Sequence, residues 1–236
     1  MKVFLYILLI LFSFAPNAQA GSYVDKRTGV EIIWDEEELE EQEINGLELT
    51  RVKRNNKRKF LKILKKELKK YPENALKGHL EKIYMVKYIA KNGHRIGGQA
   101  QNMAETIYIS RGNENSIKST FHHEVAHILY YSHNFPYKNE WLALNPEDFK
   151  YIGSGFKAIS ENRVRQKTGK KILKSGFISS YAQSALEEDF AEMAEFAIIN
   201  KRSMRKKVRK YNGLEDKFEL LKKFYISIDP KMKDLF

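Results

Sequence analysis

The segment Phe121-His122-His123-Glu124-Val125-Ala126-His127 carries the pattern His-Glu-x-x-His from His123 to His127. Residues four apart lie on the same face of an α-helix, one turn from each other. The two imidazoles can therefore close on one metal ion while Glu124 reaches a water on that ion. The segment predicts a hydrolytic metal site on a helix that runs from about residue 116 to 131.

The residues around this segment predict an α+β fold. Strand-like runs at 81–89 and 105–110 come before the metal motif, with turns at Asn92-Gly93 and Gly97-Gly98. Helical periodicity is found at 57–70, 185–200 and 214–225, and Asn145-Pro146-Glu147 has the composition of a further helix start. We therefore expect a small N-terminal sheet lobe and a mostly helical C-terminal lobe.

The N-terminus is typical of an exported protein. Met1-Lys2 is followed by an apolar run and by the small-residue exit Ala18-Gln19-Ala20, which together predict a secretory signal peptide at 1–20. No later segment approaches the roughly 20 apolar residues that span a bilayer, so we expect no transmembrane segment after cleavage. The mature protein is then secreted or periplasmic, with a peripheral segment at 21–55 and one domain at 56–236.

The amino-acid composition limits the kinds of functional site that the chain can contain. The chain has no cysteine, which excludes disulfides, thiolate metal ligands and a cysteine nucleophile. The formal net charge is +12, and basic residues cluster at 51–59, 65–70 and 201–210. These clusters indicate either attraction to an anionic surface or polymer, or solvated faces of amphipathic helices.

A catalytic zinc ion needs three protein ligands, so the motif requires a third. One candidate is His133, because the length from His123 to His133 is that of the metzincin pattern HExxHxxGxxH. That pattern needs a glycine where this chain has Tyr130, and a bulky aromatic is a poor hinge.

The other candidate is Glu188, in the acidic helix predicted at 185–200. Glu188, Glu192 and Glu195 share one helical face, while Ser184 and Glu187 have the spacing of a capping box. Glu188 can then bind the metal, and Glu192 can hold a ligand histidine by its second ring nitrogen.

HExxH followed by Glu-x-x-x-Glu on a second helix resembles the gluzincin pattern of zinc metallopeptidases. The stretch from Tyr181 to Glu192 is similar to small secreted zinc-binding metallopeptidases of bacteria and to the protease domain of anthrax lethal factor. The resemblance implies a zincin-like fold and a secreted endopeptidase that cuts protein or peptide substrates. The strand at 106–110 would align an extended substrate by edge pairing.

Carried onto this sequence, the resemblance also implies one Zn²⁺. Its ligands would be His123, His127 and Glu188, with Glu124 as the general base and Tyr181 as a hydrogen-bond donor to the transition state. His122 precedes the motif and is interpreted as non-ligating. Two alternatives remain: a metzincin-type site with His133 as third ligand, and a basic binding protein on a zincin fold that attaches to an anionic polymer.

Overall fold

The computed structural model describes residues 21–34, 46–51, 57–101, 105–161 and 168–236. The predicted signal peptide at 1–20 lies outside the described residues, as does part of the basic cluster at 51–59. Within the described ranges, no helix is long and apolar enough to cross a membrane.

The fold is α+β, as predicted. The strands are β1 (Ser22–Val24), β2 (Glu31–Ile33), β3 (Leu47–Arg51), β4 (Lys82–Lys91), β5 (His94–Ile96), β6 (Gly98–Gln101) and β7 (Thr106–Ser110). The α-helices are α1 (Lys57–Leu68), α2 (Glu73–Leu76), α3 (Glu114–Ser132), α4 (Lys138–Ala143), α5 (Gly155–Ser160), α6 (Lys170–Lys174), α7 (Leu186–Ile199), α8 (Lys201–Val208) and α9 (Asn212–Ile228). All described strands precede α3, and most of the described helices follow it.

The strands form one mixed sheet with the order β1-β2-β4-β7-β6. The ten-residue β4 is its central member, because it pairs in parallel with β2 and β7 and antiparallel with β3 and β5. Strand β6 pairs antiparallel with β7. Among the described residues β6 is therefore the outer strand on that side, and β7 is interior. The expectation that the strand at 106–110 offers a free edge is wrong, since both of its edges are occupied by other strands.

The N-terminal segment is not peripheral where it is described. Val30, Ile32, Ile33 and Leu47 are buried, and β1 to β3 belong to the sheet that carries β4. The run at 29–34 has the composition of a strand, as β2 shows, but nothing in it indicates that it joins the main sheet. A division of the chain at residue 55 stays a prediction.

Two helices carry the candidate metal ligands and Glu124. Helix α3 begins earlier than predicted, because the Asn113 side chain accepts a hydrogen bond from the Ser116 amide at 2.9 Å and caps the helix. Helices α3 and α7 pack against each other, and Ser119 and His127 of α3 contact Glu195 and Glu188 of α7. These contacts run in opposite order along the two helices, so the pair is antiparallel.

Two local predictions are wrong. Residues 145–149 form a turn in which the Phe149 amide donates to the Pro146 carbonyl, and no helix begins there. The capping box at Ser184 is not formed, because the Ser184 hydroxyl donates to the Tyr181 carbonyl and Ala185 is the N-cap of α7. Strands β5 and β6 were not predicted, because Asn92-Gly93 and Gly97-Gly98 indicated only turns in this part of the chain.

Candidate metal centre

Three side chains from two helices converge at one point. His123 Nε2 lies 3.1 Å from His127 Nε2 and 3.1 Å from Glu188 Oε2, and His127 Nε2 lies 3.4 Å from Glu188 Oε2. Helix α3 brings the two histidines together by their spacing of four residues, and α7 supplies the carboxylate from its N-terminal turn. This set is one of two groups of potential ligands found among the described residues.

The triangle has the dimensions of a tetrahedral zinc site. With metal–ligand bonds of about 2.0–2.2 Å, neighbouring ligand atoms of a tetrahedron lie about 3.3–3.6 Å apart. The separation of 3.4 Å lies in that range, and the two separations of 3.1 Å lie slightly below it. Two neutral nitrogens and one carboxylate oxygen are also a ligand set that catalytic zinc uses. The residues present therefore fit the ion that the sequence predicts.

Glu124 lies beside this triangle, and it faces strand β6. Its carboxylate accepts a hydrogen bond from the Ala100 backbone amide, and a Cβ on Gly98 would lie 2.8 Å from its Oε1. Glu124 is only 5% exposed, and burial, the largest cause, raises the pKa of its carboxyl. Glu124 is therefore held beside the triangle, and its carboxylate accepts a proton more readily than an exposed glutamate does.

Tyr181 reaches the site from the 3₁₀ turn Tyr181–Gln183, which precedes α7. Its ring centre lies 6.2 Å from that of His123, and its hydroxyl is hydrogen-bonded to Glu188. Burial raises the pKa of Tyr181 well above its usual range, and the nearby Glu188 and Glu124 raise it further. The hydroxyl therefore keeps its proton and can act as a donor.

Glu192 and Glu195 continue the acidic face of α7. Glu192 Oε1 lies 3.7 Å from His123 Nδ1, which is an ion-pair contact longer than a hydrogen bond, and Glu192 Oε2 accepts from the Ser179 hydroxyl at 2.5 Å. Glu195 accepts from the Ser119 hydroxyl at 2.5 Å. Burial, partly opposed by His123 and reinforced by Glu195, raises the pKa of Glu192 to about 7.

Electrostatics inside the triangle favour a bound cation. Burial opposes charging of His123, but the hydrogen bond to Glu188 and the nearby carboxylates outweigh it and raise the pKa of His123 to about 10. Burial likewise opposes ionisation of Glu188, yet His127 and His123 hold the pKa of its carboxyl far below the usual range. The carboxylates that raise the pKa of His123 would also attract a divalent ion at this point.

The other two histidines considered in the sequence lie outside the triangle. His133 ends α3 and packs against His79, with ring centres 4.5 Å apart, and against Phe224. The helix continues through Tyr130 without a hinge, so the His133 ring is not brought to His123 and His127 in a shared ligand group. His122 is fully buried and hydrogen-bonded to Tyr71 and Glu67, as its interpretation as non-ligating requires.

The triangle opens into a cleft of about 790 Å³. One wall is formed by β6 with the β4–β5 hairpin, and the other by α7, Tyr181 and the start of α5. Phe156 of α5 spans part of the opening, because its ring lies 6.0 Å from that of His94 and 5.4 Å from Lys91 Nζ. A cleft of this size accommodates a segment of extended peptide.

Sequence reasoning missed several residues that shape the site. Gly155 lies against both Glu188 and Tyr181, and Gly98 lies against Glu124 and Thr120. Their signal in the sequence is weak, since a glycine next to a turn is ordinary. Only the three-dimensional approach of distant segments shows that these two glycines leave room for Glu188, Tyr181 and Glu124.

A family model described as "Putative zinc-binding metallo-peptidase" matches residues 74–227, which is more than half of the chain. The matched range contains the sheet core, both α3 and α7, and every residue of the ligand triangle. No match was found among curated proteins or among solved structures.

Proposed function

This chain belongs to the family of zinc-binding metallopeptidases whose model it matches, and from that premise we propose that it is a zinc-dependent endopeptidase of gluzincin type on a zincin-like fold. The observation that carries the proposal is the triangle of His123, His127 and Glu188 with separations of 3.1–3.4 Å. The likeness to the anthrax lethal factor protease domain stays a prediction from the motifs.

In this proposal each residue near the triangle has a separate task. When bound, Zn²⁺ supplies Lewis acidity, which acidifies water and polarises a carbonyl. Glu124 takes a proton from the attacking water and later delivers it to the leaving amine. Tyr181 donates a hydrogen bond to the oxyanion that develops on the scissile carbonyl. Glu192 lies next to Nδ1 of His123 and favours the tautomer that presents Nε2 to the metal.

Strand β6 is the element best placed to align a peptide. It is the outer strand of the described sheet on the cleft side, and its Gly98 and Ala100 border Glu124. An extended peptide that pairs with β6 would carry its backbone past the general base. This assigns to β6 the role that the sequence suggested for the strand at 106–110.

The decisive experiment is Glu124→Gln. The variant is expected to keep its zinc and to lose about 10²–10⁴-fold in kcat on a proteome-derived peptide library, because an amide cannot relay the proton. Glu114→Gln is the matched control, since Glu114 lies at the exposed start of the same helix. Unchanged cleavage by a zinc-loaded Glu124→Gln protein would show that Glu124 is not the base.

Metal content separates the two candidate third ligands. Glu188→Ala is expected to lose stoichiometric zinc, and His133→Ala to retain it, because only Glu188 lies within ligand distance of both histidines. Zinc loss in His133→Ala with retention in Glu188→Ala would favour the metzincin alternative.

The predicted signal peptide supports a further proposal, that the enzyme acts outside the cytoplasm as a secreted or periplasmic protein. The pattern at 1–20 is its sole support. N-terminal sequencing of the mature protein is expected to begin at Gly21. A chain that starts at Met1 after isolation would contradict it.

A second candidate function is attachment to an anionic polymer. Helix α8 buries Met204 and Val208 and turns its basic residues outward. Burial, and next the charges of Lys70, just after α1, and Arg205, lower the pKa of Lys201, so cations from two distant segments lie near one another. This basic face supports an anchoring role that leaves the cleft open.

Retention on immobilised polyphosphate tests this second function. The Glu124→Gln protein is expected to bind at low salt and to elute as salt rises, because the contacts would be ionic. Charge reversal at Arg205 and Lys206 should abolish retention, whereas reversal at the exposed Lys171 and Lys174 of α6 should not. Equal retention of both variants would contradict the assignment to α8.

A further inference from the structure

Helix α7 presents Glu188 from an N-terminal turn that has no side-chain cap. Its N-cap is Ala185, and the nearby Ser184 hydroxyl is used by the Tyr181 carbonyl instead. Helix termini without capping partners fray easily. A ligand at the third position of such a helix needs another source of rigidity.

The next residue, Asp189, provides an anchor on the opposite side of this turn. Its Oδ2 accepts hydrogen bonds from Lys217 Nζ at 2.6 Å, Trp141 Nε1 at 2.9 Å and the Tyr151 hydroxyl at 2.9 Å. Asp189, Lys217 and Trp141 are all fully buried. The Lys217 ammonium also lies 3.9 Å from the ring centre of Phe177. We call Asp189, Lys217, Trp141 and Tyr151 the anchor cluster.

The anchor cluster is connected to the metal centre by two covalent routes. Asp189 directly follows Glu188 in α7. Tyr151 begins the loop that reaches Gly155, and within this loop the Gly153 amide donates to the Ser184 carbonyl at 2.9 Å. Gly155 then lies against Glu188 and Tyr181. The cluster therefore fixes both the helical turn that bears the carboxylate and the loop that packs against it.

Stability alone is a poor explanation for such a cluster. The desolvation of a buried ion pair largely offsets its attraction, and replacement by apolar side chains is often neutral. Removing only one partner leaves an unpaired buried charge, so the pair is sensitive to single changes. A geometric role accounts for three donors that converge on one carboxylate oxygen of the residue next to a ligand.

We propose that Lys217, acting through Asp189, is a positioning residue that holds the Glu188 carboxylate at ligand distance from His123 and His127. This inference rests on the proposed zinc site. Outer-shell partners of metal ligands affect affinity by about 10–100-fold when they are removed. The anchor cluster would act in the same way through the backbone of α7 rather than by contact with the ligand itself.

The test uses the neutral variant Asp189→Asn/Lys217→Met. The asparagine oxygen can still accept from Trp141 and Tyr151, while no unpaired charge remains, so the protein is expected to fold. Its affinity for zinc, measured by competition with a chelator, is expected to fall by about tenfold or more. Lys222→Met is the matched control, because Lys222 lies on the same helix but pairs with Glu219 at the surface.

A double-mutant cycle separates positioning from general loosening. In a Glu188→Ala background the Asn/Met change is expected to cause no further loss of zinc affinity, since the ligand that it positions is gone. Tyr151→Phe removes one donor to Asp189 and leaves the ring in place. This variant is also expected to bind zinc more weakly than the wild type. If the double variant does not fold, the zinc affinity of Tyr151→Phe decides whether the anchor cluster positions Glu188.

The outcomes distinguish the inference from its premise. If Glu188→Ala leaves zinc affinity unchanged, the proposed metal site itself is wrong. If Glu188→Ala weakens binding while a folded Asn/Met variant, or otherwise a folded Tyr151→Phe variant, binds zinc like the wild type, the anchor cluster has no positioning role.

Discussion

Gly155 and Glu188 are in such close contact that a Cβ on the glycine would lie only 2.7 Å from Cδ of Glu188 and would overlap its Oε1. The same Cβ would overlap the hydroxyl of Tyr181. Gly155 begins α5, where alanine would ordinarily be accepted. The glycine is therefore required by its neighbours Glu188 and Tyr181 and not by its own backbone conformation.

Gly155→Ala is accordingly expected to displace the Glu188 carboxylate and to lower zinc affinity by about tenfold or more. Chelator competition measures this loss. Gly169→Ala is the control, because no atom lies within 4 Å of a Cβ at that position. Wild-type zinc affinity in Gly155→Ala would mean that α5 can move away from Glu188 at little cost.

Tyr181→Phe is expected to lower kcat by about 10²-fold or more, because one donor to the developing oxyanion is lost. Zinc affinity should fall by less than kcat, since the hydroxyl is hydrogen-bonded to Glu188 but is not itself a member of the ligand triangle. Steady-state kinetics together with zinc titration check both parts. An unchanged kcat would remove Tyr181 from the transition state, and a large loss of zinc would assign it a structural role.

The sequence predicted which candidate ligands come together better than it predicted the sheet. His123, Glu124 and His127 are related by local helical geometry, so their proximity follows from spacing alone. Glu188 could be predicted as a candidate ligand because the acidic residues of α7 repeat on one helical face. Both inferences depend on contacts within a few residues, which is where sequence patterns are informative.

The features that the sequence did not predict depend on contacts between segments far apart in the chain. Nothing local indicates that β6 lies outside β7, or that Gly98 would border Glu124. The spacing of Ser184 and Glu187 fits a capping box, but the Ser184 hydroxyl instead donates a hydrogen bond to the Tyr181 carbonyl of the 3₁₀ turn. Nothing local in the sequence distinguishes Lys217 from a surface lysine, and only the fold shows that it is fully buried against Asp189.

The buried pair of His122 and Glu67 should contribute to stability more than an exposed pair does. His122 Nε2 lies 2.9 Å from Glu67 Oε2, and both side chains are at most 1% exposed. His122→Leu leaves the Glu67 carboxylate without this partner, so the free energy of unfolding is expected to fall by about 1–3 kcal/mol. Urea denaturation measures it.

Lys118→Met serves as the comparison, because Lys118 and Glu114 pair at the surface of the same helix. No measurable loss of stability is expected there, since solvent screens exposed ion pairs. Zinc content should stay unchanged in both variants. Equal effects of the two substitutions would show that His122 does not bind α1 to α3 as its contacts suggest.

The pair of His133 and His79 makes stability depend on pH. Burial, and next the charge of His79, lower the pKa of His133 below its ordinary value of 6.5. The unfolded chain therefore binds this proton more readily than the folded one. The contribution of His133 to the free energy of unfolding should be fully present above about pH 6.5 and should be lost as the pH falls through the lower folded pKa.

His133→Phe removes this titration and keeps an aromatic ring beside Phe224. Between about pH 7 and 5, the variant is expected to lose less unfolding free energy than the wild type. Urea denaturation at a series of pH values compares the two slopes. Parallel slopes would show that His133 is protonated as easily in the folded as in the unfolded protein.

Removal of zinc should destabilise the protein by an amount set by mass action. An ion that binds only the folded state at a free concentration 100 times its Kd adds about 2.7 kcal/mol to the free energy of unfolding. Thermal unfolding with and without chelator is expected to show this difference in the wild type and in Glu124→Gln, which keeps the ligand triangle. The difference should be much smaller in Glu188→Ala, because two imidazoles alone hold the ion weakly. A chelator effect of equal size in Glu188→Ala would assign the stabilising ion to a different site.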